Sequence, residues 1–95
     1  MKVSFDYDGT LSTPKGQELA TKLIGDGNTL YVISARSSKL GIIKKANDVG
    51  IPNSRVYATG SNEAKVQKIK DLHIDTHYDN NPDVIKALPG IGKLI

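Results

Sequence analysis

The sequence contains no cysteine and no tryptophan, and it has a single phenylalanine in 95 residues. Without cysteine the chain forms neither disulfide bonds nor thiolate metal sites. This composition fits a reducing compartment, so we expect a cytoplasmic location. No apolar run approaches the roughly 18 residues that a membrane-spanning helix needs, and we therefore expect no membrane partner.

Charges of both signs are present, with a small basic excess. Lys and Arg number 13 against 10 Asp and Glu, which gives a net charge of +3. An excess of this size favours anionic partners only mildly, because ordinary solvated surfaces carry it too. Hydrophobic residues make up 38% of the chain, close to the globular range and far from disordered or fibrous compositions. The length predicts one folded domain covering residues 1–95.

Apolar stretches alternate between strand-like and helix-like patterns. The run Thr29–Ile33 is almost continuously apolar and β-rich, as in a strand buried on both faces of a parallel sheet. A helical pattern comes next, in which we expect Leu40 and Ile43 to point inward. Two further helices are predicted to begin at Pro14 and Pro82, since each proline follows a residue that caps helices.

The predicted elements follow one another in the order βαβαβαβαβ. The predicted strands cover residues 2–6, 29–33, 55–58, 74–78 and 92–95. Parallel strands joined by short crossovers require right-handed connections. The order therefore predicts an α/β fold, with a three-layer doubly wound (Rossmann-like) parallel sheet of about five strands. Ligands bind such sheets at the carboxyl ends of the strands.

Two aspartates stand one residue apart where the first predicted strand meets a glycine turn. Residues 5–11 read FDYDGTL. Because Asp-Gly is a turn signal, Asp6 is expected on the strand and Asp8 on the loop above it. Close carboxylates repel each other, and a hard divalent cation such as Mg2+ is the usual compensation.

Two other structures compete for this stretch. Asp-Gly also forms the turn of β-hairpins, but the residues after Leu11 have a helical pattern instead of that of a returning strand. A calcium-binding EF-hand loop needs a central glycine and a glutamate at its twelfth position. Counted from Asp6, the glycine comes too early and the twelfth residue is Gln17, which excludes the EF-hand.

Other phosphate-binding and metal-binding motifs are incomplete. Gly25 and Gly27 lack the third glycine of a dinucleotide-binding fingerprint, and the glycine that a P-loop places before its lysine is missing before Lys65. His73 and His77 have the spacing of a zinc-binding helix, but no glutamate follows His73.

Polar residues follow every one of the first four predicted strands. They are Asp6 and Asp8, then Ser34 and Arg36, then Thr59–Asn62 leading to Lys65, and finally Asp79, Asn80 and Asp83. Because the carboxyl ends of parallel strands share one edge of the sheet, we expect these side chains to converge there. Carboxylates, a hydroxyl and cations at one edge predict a site for Mg2+ and a phosphoryl group.

Each of these residues also has a purely structural interpretation. Ser34 is able to cap a helix, and Arg36 to be an ordinary surface residue. The segment 79–83 suits a helix start, since Asp and Asn favour first turns. Lys65 is one of many basic residues, and Lys68 lies close enough to compete with it for the phosphate.

Together the segments resemble the four motifs of the haloacid dehalogenase (HAD-like) superfamily over nearly the whole chain. The aspartate pair followed by Gly and Thr resembles the first motif. Ser34 resembles the second, Lys65 the third, and the segment Asp79-Asn-Asn-Pro-Asp83 the fourth. Many members have an adjacent acid pair in the fourth motif, whereas here Asn80 follows Asp79.

The resemblance implies a Mg2+-dependent phosphatase. Asp6 would be the nucleophile that forms an aspartyl-phosphate, and Asp8 would act as general acid and then as general base. Asp6, the Asp8 backbone carbonyl and Asp79 would hold Mg2+, and Asp83 would bind the metal either directly or through its waters. Ser34 and Lys65 would bind the phosphoryl oxygens.

Arg36 is a further candidate for phosphate binding. An aspartate at position 8 resembles the family's phosphatases and phosphomutases, because its transport ATPases have threonine there. The two intervals in which the family inserts a cap domain are both short here, so the resemblance implies an open, capless site. A large substrate or a neighbouring subunit in a homo-oligomer would then have to cover it.

The substrate class stays open between a nucleotide, a nucleic-acid end and a sugar phosphate. Two other functions remain alternatives. One is a non-catalytic module on the same fold that binds phosphate or nucleic acid. The other is a phosphotransferase that uses the same aspartyl-phosphate.

Overall fold

The computed structural model describes residues 1–95 and contains five strands and four α-helices. The strands are β1 (Lys2–Phe5), β2 (Thr29–Ser34), β3 (Val56–Ala58), β4 (Thr76–Asp79) and β5 (Gly92–Leu94). The helices are α1 (Pro14–Gly25), α2 (Leu40–Asp48), α3 (Asn62–Asp71) and α4 (Pro82–Lys86). An irregular helical turn, Tyr7–Leu11, follows β1, and a short helical turn, Asn53–Arg55, precedes β3. No helix combines the length and the apolar character that crossing a bilayer requires.

All five strands are parallel and lie in the order β3-β2-β1-β4-β5. The predicted α/β class with a parallel sheet of about five strands is confirmed, and this architecture is compatible with a Rossmann-like fold. β1 is the central strand, with β2 on one side and β4 on the other. The connections that leave β1, β2 and β4 therefore meet at one edge of the sheet, where such folds bind ligands.

The core consists of two apolar clusters. One contains Phe5 and Val32 of the sheet together with residues of α1 and α2. The other contains Ile33 of the sheet with Ile69 of α3 and Val84 of α4. Successive strand residues point to opposite faces. Because Val32 and Ile33 belong to different clusters, the two clusters lie on opposite faces of the sheet.

The two helices that begin with proline start as expected. Thr13 Oγ1 accepts a hydrogen bond from the Gly16 N–H at 3.1 Å, and Asn81 Oδ1 accepts one from the Asp83 N–H at 2.9 Å. Each cap satisfies an N–H group that has no partner inside the helix. The predicted start of α1 at Pro14 and of α4 at Pro82 is confirmed.

The prediction that Leu40 points inward is wrong, since its side chain is 84% exposed. The buried residues of α2 are Ile42 and Ala46. These two residues are four positions apart and share one helix face, which packs on the sheet. Leu40 is the first residue of α2 and lies on another side of the helix.

Gly16 allows α1 to pack directly on the turn that carries Asp8. A Cβ at this position would lie against the backbone oxygen of Thr10 and 3.2 Å from Leu11 Cα. Both neighbours are main-chain atoms, which cannot move aside without displacing the turn. The close approach of α1 therefore fixes the position of the turn.

We expect Gly16→Ala to lower the free energy of unfolding by about 1–3 kcal/mol, the usual effect of overpacking. Urea denaturation measures this change. Gly25→Ala, in the same helix, is the matched control, because no atom lies within 4 Å of its added Cβ. We expect the control to be more stable by about 0.4–1 kcal/mol, and equal losses in both variants would contradict the contact.

Candidate active site

Two acidic residues lie side by side where β1 and β4 end. Asp6 directly follows β1, and its N–H donates to the Tyr78 carbonyl of β4 at 2.9 Å. Asp79 is the last residue of β4. Their side chains are nearly inaccessible to solvent, with residue exposures of 6% and 1%. Strand pairing thus brings together two carboxylates that lie far apart in the sequence.

Lys65 of α3 lies between these two carboxylates. Its Nζ donates to Asp6 Oδ1 at 2.9 Å and to Asp79 Oδ2 at 3.0 Å. The side chain is only 3% exposed, and Lys68 instead lies over the Tyr57 ring at 5.1 Å. Of the two candidate lysines, Lys65 is the one at the acidic cluster.

The buried triad shifts the pKa values of its two acids in opposite directions. Burial raises the pKa of Asp6; the Lys65 charge opposes this effect and the Asp79 charge adds to it. Burial acts in the same direction at Asp79, but hydrogen bonds from His77 and Lys65 outweigh it and lower the pKa of Asp79. Asp79 is therefore the more firmly ionised member of the pair.

A buried chain of polar groups continues behind Asp79. His77 Nε2 lies 2.9 Å from Asp79 Oδ2, and His77 Nδ1 lies 2.6 Å from Ser4 Oγ. Asp79 Oδ1 accepts the Asn81 N–H at 3.0 Å. The two Asp79 oxygens thus contact three partners within the protein. In the sequence, the spacing of His77 from His73 suggests only a zinc site. Its alternation with Asp79 on one strand is the signal that places both side chains on the same face.

Asp8 belongs to the same cleft as Asp6 and is the solvent-exposed aspartate of the site. Arg36 Nε donates to Asp8 Oδ2 at 2.8 Å, and Arg36 Nη2 donates to Asp8 Oδ1 at 2.6 Å. The hydrogen bonds from Arg36 outweigh the small effect of burial and lower the pKa of Asp8. Both side chains are substantially exposed, Arg36 by 42% and Asp8 by 60%. This is a solvent-accessible, two-pronged ion pair.

Ser34 is the last residue of β2 and is buried. It lies two positions before Arg36 in the sequence. Its Oγ accepts the Arg36 N–H at 3.0 Å, and its carbonyl accepts from Thr59 Oγ1 at 2.7 Å. In the structure Ser34 therefore fixes the loop that carries Arg36. Its expected contact with phosphoryl oxygens stays a prediction.

The Asn80 side chain contacts both Asp6 and Asp8. One terminal atom of its carboxamide lies 3.2 Å from both Asp6 Oδ2 and the Asp8 carbonyl oxygen. With the amide nitrogen at this position, Asn80 donates a hydrogen bond to each oxygen. With the amide oxygen there, Asn80 instead places a third oxygen atom beside the Asp6 carboxylate and the Asp8 carbonyl. In the sequence Asn80 directly follows a strand-end aspartate, but the resemblance implies no specific role for it.

The second orientation suits a hard divalent cation. Oxygen ligands at about 2.1 Å from Mg2+ in an octahedron are about 3.0 Å apart, close to the 3.2 Å separations at Asn80. No group of three His, Cys, Asp or Glu side chains surrounds a common point. The oxygen set instead combines the Asp6 carboxylate, the Asp8 carbonyl and the Asn80 carboxamide, which are ligand types that Mg2+ accepts.

Asp6, Asp8, Lys65 and Asp79 all line one open cleft of about 450 Å³ at this edge of the sheet. The structure thus brings together four of the residues expected from the sequence. Asp83 is exposed and lines a separate groove between α3 and α4.

Loss of the Lys65 charge would leave two buried carboxylates without a cation. We expect Lys65→Met to lower the free energy of unfolding by about 3–5 kcal/mol near neutral pH, as measured by urea denaturation. Lys68→Met is the control, and we expect it to lose less than about 1 kcal/mol. Equal losses would contradict the role of Lys65.

The effect of Lys65→Met should depend on pH. In the unsubstituted protein, the lowered pKa of Asp79 contributes stability above its unfolded value near 3.8, and this stability is lost as the pH falls through the folded pKa. The raised pKa of Asp6 acts in the opposite sense. Without Lys65 both folded pKa values rise, so the loss of stability should shrink as the pH falls and the carboxylates are protonated. A loss that grows on acidification would contradict this account.

No protein-family model and no curated protein matches this sequence. Among solved structures, the chain is similar to the crystal structure of a hypothetical protein from Xanthomonas campestris, with a TM-score of 0.62 and 18% sequence identity. The match covers 98% of this chain and 62% of that chain, so this protein spans less than two thirds of its structural neighbour. At this level of identity the similarity shows the fold alone, an α/β architecture with a parallel sheet.

Proposed function

We propose that this protein is a Mg2+-dependent phosphomonoester hydrolase of the haloacid dehalogenase type. The observation that carries the proposal is the meeting of Asp6, Asp8 and Lys65 in one cleft, with Asp79 behind them. Apolar clusters on both faces of the sheet support the doubly wound arrangement of that superfamily. The lack of cysteine supports a cytoplasmic location.

In the first step, an Asp6 carboxylate oxygen attacks phosphorus in line. The bond between Asp6 and phosphorus forms while the bond to the leaving oxygen breaks, and Asp8 gives its proton to that oxygen. In the second step, Asp8 takes a proton from a water molecule that attacks the phosphorus. The bond to Asp6 then breaks, which releases phosphate and restores both side chains.

The remaining residues of the cleft hold charge in place. Asp6 Oδ2, the Asp8 carbonyl and Asn80 Oδ1 would hold Mg2+, which neutralises phosphoryl oxygens when it is bound. Lys65 adds a fixed positive charge beside Asp6, and Asp79 holds Lys65 there through a hydrogen bond. That Asp79 also holds the metal stays a prediction. Positive charge at the phosphoryl group stabilises a transition state whose charge spreads over its oxygens.

Both intervals in which the superfamily inserts a cap contain only short elements. Between the turn Tyr7–Leu11 and β2 lies α1 alone, and between β2 and α3 lie α2, a short turn and β3. The cleft is therefore open to solvent on the side of Asp8. An open cleft suits a nucleotide, a nucleic-acid end or a sugar phosphate, covered by the substrate itself or by a second copy of the chain.

Hydrolysis of p-nitrophenyl phosphate with Mg2+ tests the proposal. We expect EDTA to abolish turnover and Asp6→Asn to lower kcat at least about a thousandfold, because the nucleophile is lost. Asp26→Asn removes an exposed aspartate that pairs with Lys22, and this control should keep full activity.

Three results would contradict the proposal. Equal turnover by Asp6→Asn and Asp26→Asn would show that Asp6 is not the nucleophile. Salt-sensitive binding of oligonucleotides without any turnover would identify a binding module. Transfer of phosphate to an added alcohol in competition with water would identify a phosphotransferase.

Direct metal binding tests the role of Asn80. We expect Asn80→Ala to weaken Mn2+ binding about tenfold or more, because one oxygen ligand is lost, and Asn80→Asp to strengthen it through the added charge. Electron paramagnetic resonance of free Mn2+ measures both changes. Asn53→Ala, on a distant turn, is the control, and an unchanged affinity in both Asn80 variants would remove Asn80 from the metal site.

A further inference from the structure

The ion pair between Arg36 and Asp8 engages the whole Asp8 carboxylate. Arg36 Nε and Nη2 reach one oxygen each, at 2.8 Å and 2.6 Å. In the proposed reaction Asp8 carries the proton for the leaving oxygen. Both Asp8 oxygens accept from the guanidinium, so Arg36 competes with the leaving oxygen for this carboxylate. Release of Asp8 from Arg36 would therefore make the whole carboxylate available to the leaving oxygen.

The surroundings of Arg36 combine a fixed backbone with an accessible side chain. The Arg36 N–H donates to Ser34 Oγ at 3.0 Å, and the Arg36 carbonyl accepts from the Gly60 N–H at 3.0 Å. The guanidinium lies over the Tyr7 ring at 5.0 Å. A Cβ on Gly41 would come within 2.8 Å of Arg36 Nη1. The glycine thus leaves room for the guanidinium in the position in which it pairs with Asp8.

Arg36 also places an accessible cation beside this cleft, through its ion pair with the lining residue Asp8. Three carboxylates and one ammonium group line it, those of Asp6, Asp8, Asp79 and Lys65. Lys65 is buried and already bonded to two of these acids, so it cannot reach toward the mouth. The exposed positive charge that is paired with Asp8, and so within reach of an additional anion on the leaving group, is that of Arg36.

We infer that Arg36 determines specificity by exchanging Asp8 for a second oxyanion on the substrate; this inference rests on the proposed phosphatase function. The substrate class is then a phosphomonoester with a carboxylate or a second phosphate close to the ester oxygen. A guanidinium fork matches the two oxygens of either group. Exposed ion pairs are weak, so the substrate's anion competes readily with Asp8.

The exchange couples substrate recognition to catalysis. When the second oxyanion takes the guanidinium, the Asp8 carboxylate is released beside the leaving oxygen. A substrate without this group leaves Arg36 on Asp8 and reacts slowly. Arg36 therefore favours one class of substrate and restrains the hydrolysis of simple phosphate esters.

Three small phosphate esters test the inference. Ethylene glycol monophosphate carries no second anion, phosphoglycolate carries a carboxylate in place of the hydroxymethyl group, and ethylene glycol bisphosphate carries a second phosphate. For the unsubstituted protein we expect kcat/KM for at least one of the two probes with a second anionic group to exceed that for the monophosphate by about tenfold or more. The preferred probe then identifies the oxyanion as carboxylate or phosphate.

Arg36→Gln should bring this ratio close to one. It should also raise turnover of the monophosphate by up to about fivefold, since Asp8 is released. Arg36→Lys keeps the charge without the fork and should retain part of the preference. Lys39→Gln removes another exposed charge from the same loop and should keep the full ratio.

A purely structural role of Arg36 would lower turnover of all three esters alike and leave their ratio unchanged, which would overturn the inference. A ratio near one in the unsubstituted protein, with hydrolysis that still requires Asp6, would overturn it while leaving the proposed phosphatase intact. No hydrolysis of any ester would overturn both.

Discussion

The buried ammonium group of Lys65 holds the candidate site together. Two carboxylates in a dry environment repel each other strongly, and one positive charge at hydrogen-bond distance from both makes their proximity tolerable. The triad joins three parts of the chain, since Asp6 follows β1, Asp79 ends β4 and Lys65 belongs to α3. Folding of the sheet and formation of the cleft are thus one event. A sheet with β1 and β4 apart would leave the lysine without partners.

Around this centre the structure assigns different environments to acids of the same type. Asp79 is buried and firmly ionised, Asp6 is buried with a raised pKa, and Asp8 is exposed and held by Arg36. The distinction between anchor, nucleophile and proton carrier that the proposed reaction requires follows from these environments. The residue type alone does not distinguish these three roles, because all three residues are aspartate.

The sequence was sufficient for features that depend on neighbouring residues. Short apolar, β-rich stretches located the five strands, and the prolines at positions 14 and 82 marked helix starts that the structure confirms. The convergence of polar residues at one edge followed from parallel strands. Features that depend on packing were out of reach. Leu40 is an apolar residue but lies on an exposed side of α2. Asn80 contacts oxygen atoms of Asp6 and Asp8, which lie far from it in the sequence, and this contact exists only in the folded chain.

The polar chain that runs from Ser4 through His77 to Asp79 has a consequence for how this protein tolerates change. Ser4 and His77 are fully enclosed within the sheet, so no substrate touches them. Their hydrogen bonds nevertheless set the orientation of the aspartate that anchors Lys65. Substitution at either interior position would therefore disturb the cleft as well as the packing, and the set of residues that supports the candidate site extends along one face of the sheet into the interior.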